Sequence, residues 1–317
     1  MKPYYYSLDE YNKETFGRKL YKLSLPGGTT CPNRDGTCGT GGCIFCSAGG
    51  SGEFTPDASL SVTQQLEQAK ERVAGKIRES ADTAQFIAYF QSFTATYAPI
   101  ETLTARFTEA VCWPQTAVLD VATRPDCLPE NVLDLLSALR REKPVWVELG
   151  LQTANEDTAR LIGRGYENGV YSDAVRRLHE RGIPVIAHVI LGLPGETRDD
   201  MLRTIDYLNC TKTDGVKLQL LHVLRGTALA QMDYTPMSME NYIDVLLDCI
   251  AHLRPDVVVH RLTGDGDKRL LLAPLWSADK KRVLNAIHRQ MRERQIIQGK
   301  CAGKVDKNSA LIYHELN

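Results

Sequence analysis

Four cysteines crowd one short stretch, Cys31-Pro-Asn-Arg-Asp-Gly-Thr-Cys38-Gly-Thr-Gly-Gly-Cys43-Ile-Phe-Cys46. The Cys43-x-x-Cys46 pair puts two thiolates within reach of one metal ion or cluster, and the glycines at 36, 39, 41 and 42 let the backbone fold around it without steric cost. Three chemistries fit these residue types. All four sulfurs together could close a structural zinc tetrahedron. Cys43 and Cys46 alone could form a thioredoxin-like redox pair, although such a pair normally opens a helix, whereas this one lies in a Gly-rich loop. Three thiolates could hold a [4Fe–4S] cluster and leave one iron open to an outside ligand.

Such a loop needs a scaffold, and the chain supplies a regular one. Short apolar runs at 19–25, 85–90, 117–122, 145–151, 184–191 and 216–223 read as strands. They are rich in Val, Ile and Leu without clean alternation, as expected of strands buried on both faces. Amphipathic segments fall between them. Leu66, Val73 and Ile77 share a helical face after Ser61, whose spacing to Gln64 fits a capping box. Val132, Leu135, Leu136 and Leu139 form a second face, Ala174, Leu178 and Arg181 a third, and Met201, Ile205 and Leu208 a fourth. Six strands in βα alternation predict a parallel α/β sheet, open or closing toward a barrel, with functional groups at the C-terminal strand ends. Beyond about residue 235 a helix-like run at 240–253, a short strand at 257–260, a Gly-Asp-Gly turn at 264–266 and a basic helix at 278–295 predict an extension. The expected division is an N-terminal extension at 1–18, a core at 19–234 and an α-rich C-terminal extension at 235–317.

The bulk composition is that of a globular protein: 317 residues, 43% hydrophobic, 24% charged and a net charge of −1. No global charge advertises a nucleic-acid or membrane partner. The first twenty residues have no apolar h-region, and no stretch reaches the roughly 18 apolar residues of a membrane span. A cytoplasmic address is expected, where nine cysteines are free thiols or metal ligands rather than a disulfide framework.

The Cys-Pro-Asn-Arg-Asp-Gly sequence followed by Gly-Gly-Cys-x-x-Cys resembles the radical S-adenosylmethionine (SAM) family typified by the bacterial proteins YhcC and YtqA, which is akin to the Elongator-type enzymes. Further stretches follow that pattern in order: Gly50-Ser-Gly-Glu-Phe54, Tyr89-Phe-Gln-Ser-Phe-Thr-Ala-Thr-Tyr-Ala-Pro99, Thr123-Arg-Pro-Asp126, Glu148-Leu-Gly-Leu-Gln-Thr153 and Gly192-Leu-Pro-Gly-Glu196. The resemblance implies a partial (β/α)6 TIM-like barrel and a [4Fe–4S] cluster on Cys31, Cys43 and Cys46. SAM would chelate its open iron, to be cleaved to a 5′-deoxyadenosyl radical. An electron donor such as a flavodoxin or ferredoxin is implied as well. The eleven residues between Cys31 and Cys43 depart from the usual superfamily spacing of three and match the Elongator-like branch, which leaves Cys38 as an extra thiol.

The same resemblance implies a SAM pocket. Phe45 would meet the adenine, and Gln91 and Ser92 stand where many relatives carry Gly-Gly-Glu for the SAM amino group. Gln152 would meet the ribose region, and Arg164 the carboxylate through its guanidinium fork. His188 and Gly192 lie on the adenine-binding strand, His222 near the adenine edge, and Glu196 organises its loop. Polar residues left at the strand ends, Thr94, Tyr97, Arg124, Asp126, Glu148 and Lys217, are substrate candidates. The Elongator-like kinship implies tRNA as partner, with removal of the carboxymethyl group from wobble 5-carboxymethylaminomethyluridine. A small metabolite or peptide substrate, or a cluster- or zinc-bearing protein without turnover, are the alternatives. Lys268, Arg269, Lys280, Lys281, Arg282, Arg289, Arg292, Arg294, Lys300 and Lys304, with Trp276 and His288, could track and stack RNA or form a solvated helix face.

Overall fold

The computed structural model of the chain describes residues 4–50, 52–77, 80, 83–264 and 266–303; Ser51, Asp265 and Lys304, named above, lie outside them. In chain order the elements are α1 (Leu8–Phe16), β1 (Tyr21–Leu25), α2 (Val62–Val73), β2 (Phe86–Phe90), α3 (Ile100–Cys112), β3 (Thr116–Thr123), α4 (Glu130–Leu139) and β4 (Val145–Gln152). There follow α5 (Glu156–Leu161), α6 (Asn168–Glu180), β5 (Val185–Leu191), α7 (Arg198–Cys210), β6 (Gly215–Leu220) and β7 (Val223–Leu224). The chain continues through α8 (Met239–His252), β8 (Val258–Arg261), β9 (Leu271–Ala273) and α9 (Lys280–Glu293).

Seven strands form one parallel sheet in the order β1-β2-β3-β4-β5-β6-β8. The sheet curls strongly. Lys217 on β6 hydrogen-bonds Tyr89 on β2 at 2.8 Å, and Lys22 on β1 reaches Glu148 on β4 at 2.6 Å. In a flat sheet β2 and β6 would lie roughly 19 Å apart, four strand spacings. The result is a TIM-like partial barrel. Its outer face buries Leu23, Phe86, Leu119, Val147, Val185 and Leu218 under the helices. The periodicity that predicts helices holds: Leu66, Val132, Leu136, Ala174, Leu178, Met201, Ile205 and Leu208 are all buried. Ser61 and Gln64 form the expected capping box of α2, whereas α6 stops at Glu180 and Arg181 turns out to Glu130.

The inner face changes character with height. At the N-terminal end Ile87, Val118, Trp146 and Ile186 make an apolar layer, and α1 closes it with Leu8, Tyr11 and Phe16. Tyr11 meets the Trp146 ring edge-on at 5.8 Å, and Phe16 lies 6.4 Å from it.

One expectation needs correction. The sixth strand ends at Leu220 rather than Val223, so His222 lies in the link to β7, which pairs with β9 in a separate antiparallel ribbon. The short strand expected beyond residue 235 joins the sheet: β8 pairs in parallel with β6, and α8 packs into the main core. The sheet therefore has seven strands and crosses the expected boundary at 234/235. Without β8 the hydrogen-bonding edge of β6 would be open.

Candidate active site

The cysteine loop leaves β1 and is pinned by its own backbone and by two side chains. Arg34 N–H donates to Cys31 C=O at 2.8 Å, Cys46 N–H to Cys43 C=O at 2.9 Å, and Ile44 N–H to Ile162 C=O at 3.1 Å. The buried Asn33 amide donates to the carbonyls of Gly163 (2.7 Å) and Arg164 (3.2 Å) and approaches Cys43 Sγ at 3.5 Å. Arg34 donates to the carbonyls of Cys46 and Ser47 and lies 5.3 Å from the Phe93 ring. That ring explains Gly50: with φ of +56°, a Cβ there would come within 2.3 Å of it.

Cys31, Cys43 and Cys46 line the mouth of one cavity of about 860 Å³ over the C-terminal ends of the strands. Burial and the neighbouring Cys46 push the Cys43 thiol up to about 11, and burial raises Cys46 against the pull of Arg34. Among the described residues no three His, Cys, Asp or Glu side chains are already drawn to the spacing of a metal site. The donor set nevertheless fits an iron–sulfur cluster: three soft sulfurs line one cavity, with Cys31 close enough to raise the thiols of Cys43 and Cys46, an effect that a bound metal would reverse. Cys38 is exposed and lines a different cavity, of about 430 Å³, with Gly41, Glu156 and Glu167.

The cavity descends to a layer of charge. Glu148 is fully buried; its Oε1 accepts from Lys22 at 2.6 Å, and its Oε2 accepts from Tyr89 and His188, each at 2.6 Å, and from Lys217. Lys22 also binds Asp120 at 2.5 Å, and Lys217 lies opposite Arg261 in the β6–β8 register. Burial opposes the Glu148 charge, but Lys217, Lys22 and His188 hold its carboxyl well below the ordinary range. Burial and Lys217 lower His188, so a neutral imidazole donates Nε2–H to the carboxylate. Burial pulls Lys217 down, and burial with Glu148 pushes Asp120 up. A lone charge inside each apolar strand was the available signal for Lys22 and Asp120, which the motif-based reading passed over.

The structure brings Phe45, Gln91, Thr94, Arg124, Glu148, Gln152, Arg164, His188, Lys217 and His222 to this cavity. Gln152 has a φ of +61° at the β4–β5 irregularity, with Tyr166 Oη 3.4 Å from its amide oxygen. His222 packs against Gly264 and Gly266, where a Cβ would fall within 2.6 Å of the ring, so the Gly-x-Gly turn makes room for the imidazole. Other expected residues do not join. Gly192 is packed against Met237 and Tyr234, Ser92 is buried against Gly52, and Tyr97 bonds Thr37 at 2.9 Å; none is part of the cavity wall. Glu196 turns to Thr153, as expected of a loop organiser.

Both arginines are occupied. Arg164 donates to the carbonyls of Leu151 (3.1 Å), Thr153 (2.9 Å) and Tyr166 (2.8 Å), to Asn168 and to Glu156. The expected carboxylate fork is thus turned into the β4–α5 loop, because a buried guanidinium must satisfy its donors locally. Arg124 is bidentate to Asp126 (2.9 and 2.6 Å) and donates to the Arg164 carbonyl.

A family model described as the radical SAM superfamily matches residues 30–208, and one described as the radical SAM C-terminal domain matches residues 213–293. The chain belongs to the radical SAM superfamily. This radical SAM protein is 39% identical to YtqA of Bacillus subtilis over 97% of its own length and 95% of that protein, and 35% identical to YhcC of Escherichia coli over 91% and 92%. Its fold is shared with an archaeal Elp3 of Methanocaldococcus infernus lacking residues 1–46, at a TM-score of 0.67 and 16% identity, covering 88% of this chain and 64% of that one. Membership brings a [4Fe–4S] cluster and SAM as the cofactors of a radical SAM protein. No helix among the described residues is long and apolar enough to cross a membrane.

Proposed function

We propose that this protein binds its [4Fe–4S] cluster through Cys31, Cys43 and Cys46 and modifies a tRNA wobble uridine, converting 5-carboxymethylaminomethyluridine to 5-aminomethyluridine. The observation that carries the reading is that these three thiols line one polar cavity in the barrel. When bound, the cluster and SAM supply a 5′-deoxyadenosyl radical, a reagent suited to C–H bonds that no ordinary base can deprotonate. Phe45, Gln91, Gln152, His188 and His222 line the part of the wall that would receive SAM; Phe45 offers an apolar face and Gln152 an amide. Thr94, Glu148 and Lys217 face the remaining space, where they would orient the substrate and exclude water.

The tRNA half of the reading is supported by the Elongator-like motifs and by the basic surface near α9. A second cavity of about 510 Å³ there is lined by Lys268, Trp276, Lys280, Lys281 and Arg282. His288 is exposed, with its ring 6.3 Å from that of Tyr5. Part of the run is neutralised locally: Arg269 pairs with Asp267, Arg294 with Asp244 and, at 3.9 Å, Arg289 with Glu293. Membership also calls for a reductant, for which a flavodoxin or ferredoxin is the chemical class expected.

Two measurements test the proposal. Anaerobically reconstituted protein, reduced with dithionite, should release 5′-deoxyadenosine from SAM, and serine variants of Cys31, Cys43 and Cys46 should lose iron while Cys38→Ser keeps it. Nucleoside mass spectrometry of tRNA from a deletion strain should show 5-carboxymethylaminomethyluridine accumulating. An unchanged profile, in an organism that makes these nucleosides, removes the tRNA substrate.

A further inference from the structure

The cavity is not confined to the barrel interior. Beyond Lys22 and Ser24 of β1 its wall continues onto α2, which packs outside the sheet against β1. Ala69, Arg72, Val73 and Lys76 line it at the i, i+3, i+4 and i+7 spacing of one helical face, Lys76 in the 3-10 turn that extends α2. The loop that follows Cys46 completes this outer wall with Glu53, Phe54 and Thr55.

The outer wall presents a ring and two cations that the fold itself does not use. Of the seven phenylalanines Phe54 alone is exposed, at 51%. A phenyl left in water forgoes the stabilisation of burial. Its backbone is nevertheless held: Gly52 C=O accepts from Thr55 N–H at 3.0 Å and from Thr55 Oγ1 at 2.8 Å, a turn with Phe54 at its bend. Arg72 donates to Phe54 C=O at 2.8 Å, which ties the guanidinium to that turn. Neither Arg72 nor Lys76 meets a carboxylate among the described residues, whereas Lys70 of the same helix is taken up by Gln115 and Glu67. Glu53 carries the carboxylate of this wall, and it turns to Ser47. A helix C-terminus favours a cation, which accounts for the charge of Arg72 but not for the ring presented beside it.

A flat apolar ring flanked by uncommitted cations matches a nucleobase and its phosphates. An acidic protein would also satisfy the cations, but seated on this wall it would close the cavity to substrate. We propose that Phe54, Arg72 and Lys76 form a rim for single-stranded RNA, in which Phe54 stacks on one base and the two cations take the adjoining phosphates. A neighbouring nucleotide is then free to enter the cavity. The proposal rests on the uridine reading above, for which it names the surface beside the target nucleotide. A paired stem cannot use the ring, because its bases are already stacked on one another.

The test uses full-length, cluster-reconstituted, unreduced protein with an unmodified RNA hairpin and the blunt duplex of its stem, read by fluorescence anisotropy. The hairpin is expected to bind about tenfold tighter than the duplex, within the range for one stacked base. Phe54→Ala should erase that preference and leave duplex affinity unchanged, while Phe54→Trp keeps it; circular dichroism reports folding. Lys76→Gln should lower hairpin affinity and reduce the slope of log K against log salt by about 0.7, one single-strand phosphate. Equal binding of hairpin and duplex by the wild type would overturn the rim. So would a folded Phe54→Ala protein that keeps the preference, or an unchanged salt slope in Lys76→Gln. Slower cluster reduction by a flavodoxin in Phe54→Ala, with hairpin binding intact, would assign the surface to a protein instead. An unchanged tRNA profile in the deletion strain, with the hairpin preference intact, would remove the uridine and leave the rim standing. Nucleoside accumulation in that strain without a hairpin preference would do the reverse.

Discussion

Glu148 shows how one side chain fixes many. Its two oxygens organise Lys22, Lys217, Tyr89 and His188, residues from four other strands. Removing it leaves the buried Lys217 without its carboxylate and the half-buried Lys22 with Asp120 alone, and breaking a buried pair in this way costs about 3–5 kcal/mol. Glu148→Ala is therefore expected to lower the urea midpoint by that order, with Glu148→Gln between it and the wild type. An unchanged midpoint would mean that the layer is hydrated and contributes nothing to folding.

At the scale of elements, helix ends and the barrel plug make separate contributions. Thr197 and Asp200 form a capping box at the start of α7. Burial pushes the Asp200 carboxyl up, but bonds from Thr197, Asn155 and Arg203 prevail and hold it at about 2, below its ordinary 3.8. A depressed folded-state pKa gives stability that is present above about pH 4 and lost as pH falls through 2. Asp200→Asn should cost about 0.5–2 kcal/mol near neutrality, the usual range for a lost cap. Thermal melts of the two proteins should converge between pH 4 and 2. At the barrel floor, Trp146 is packed by Tyr11, Phe16 and His260. Trp146→Ala should cost about 3–5 kcal/mol through the cavity it leaves, read from chemical denaturation.

For the whole molecule, β8 and α8, from the C-terminal quarter, are part of the barrel and its core. β8 covers the edge of β6, and Tyr242, Leu246, Leu247 and Ile250 of α8 belong to the main core. A chain ending at residue 234 would expose both an apolar face and a strand edge. It is expected to aggregate or remain unfolded, which size-exclusion chromatography and circular dichroism would report; a soluble, folded 1–234 fragment would make the extension a true appendage.

The βα alternation, the capping box at Ser61 and the cysteine loop were legible in the chain itself, because hydrophobic period, cap chemistry and thiol spacing are local properties. The motif resemblance likewise pointed to the superfamily. Periodicity by itself left closure open, and although the resemblance implied a barrel, it did not say which side chains would meet inside it. Lys22, Asp120, Glu148, His188, Lys217 and Arg261 are scattered over 240 positions and meet only because the sheet curls. Curling also turned Arg164 inward to satisfy its own donors, set Gly192 behind the wall and drew β8 into the sheet. Which polar groups are free and which are consumed depends on burial, and burial is decided by contacts between strands far apart in sequence.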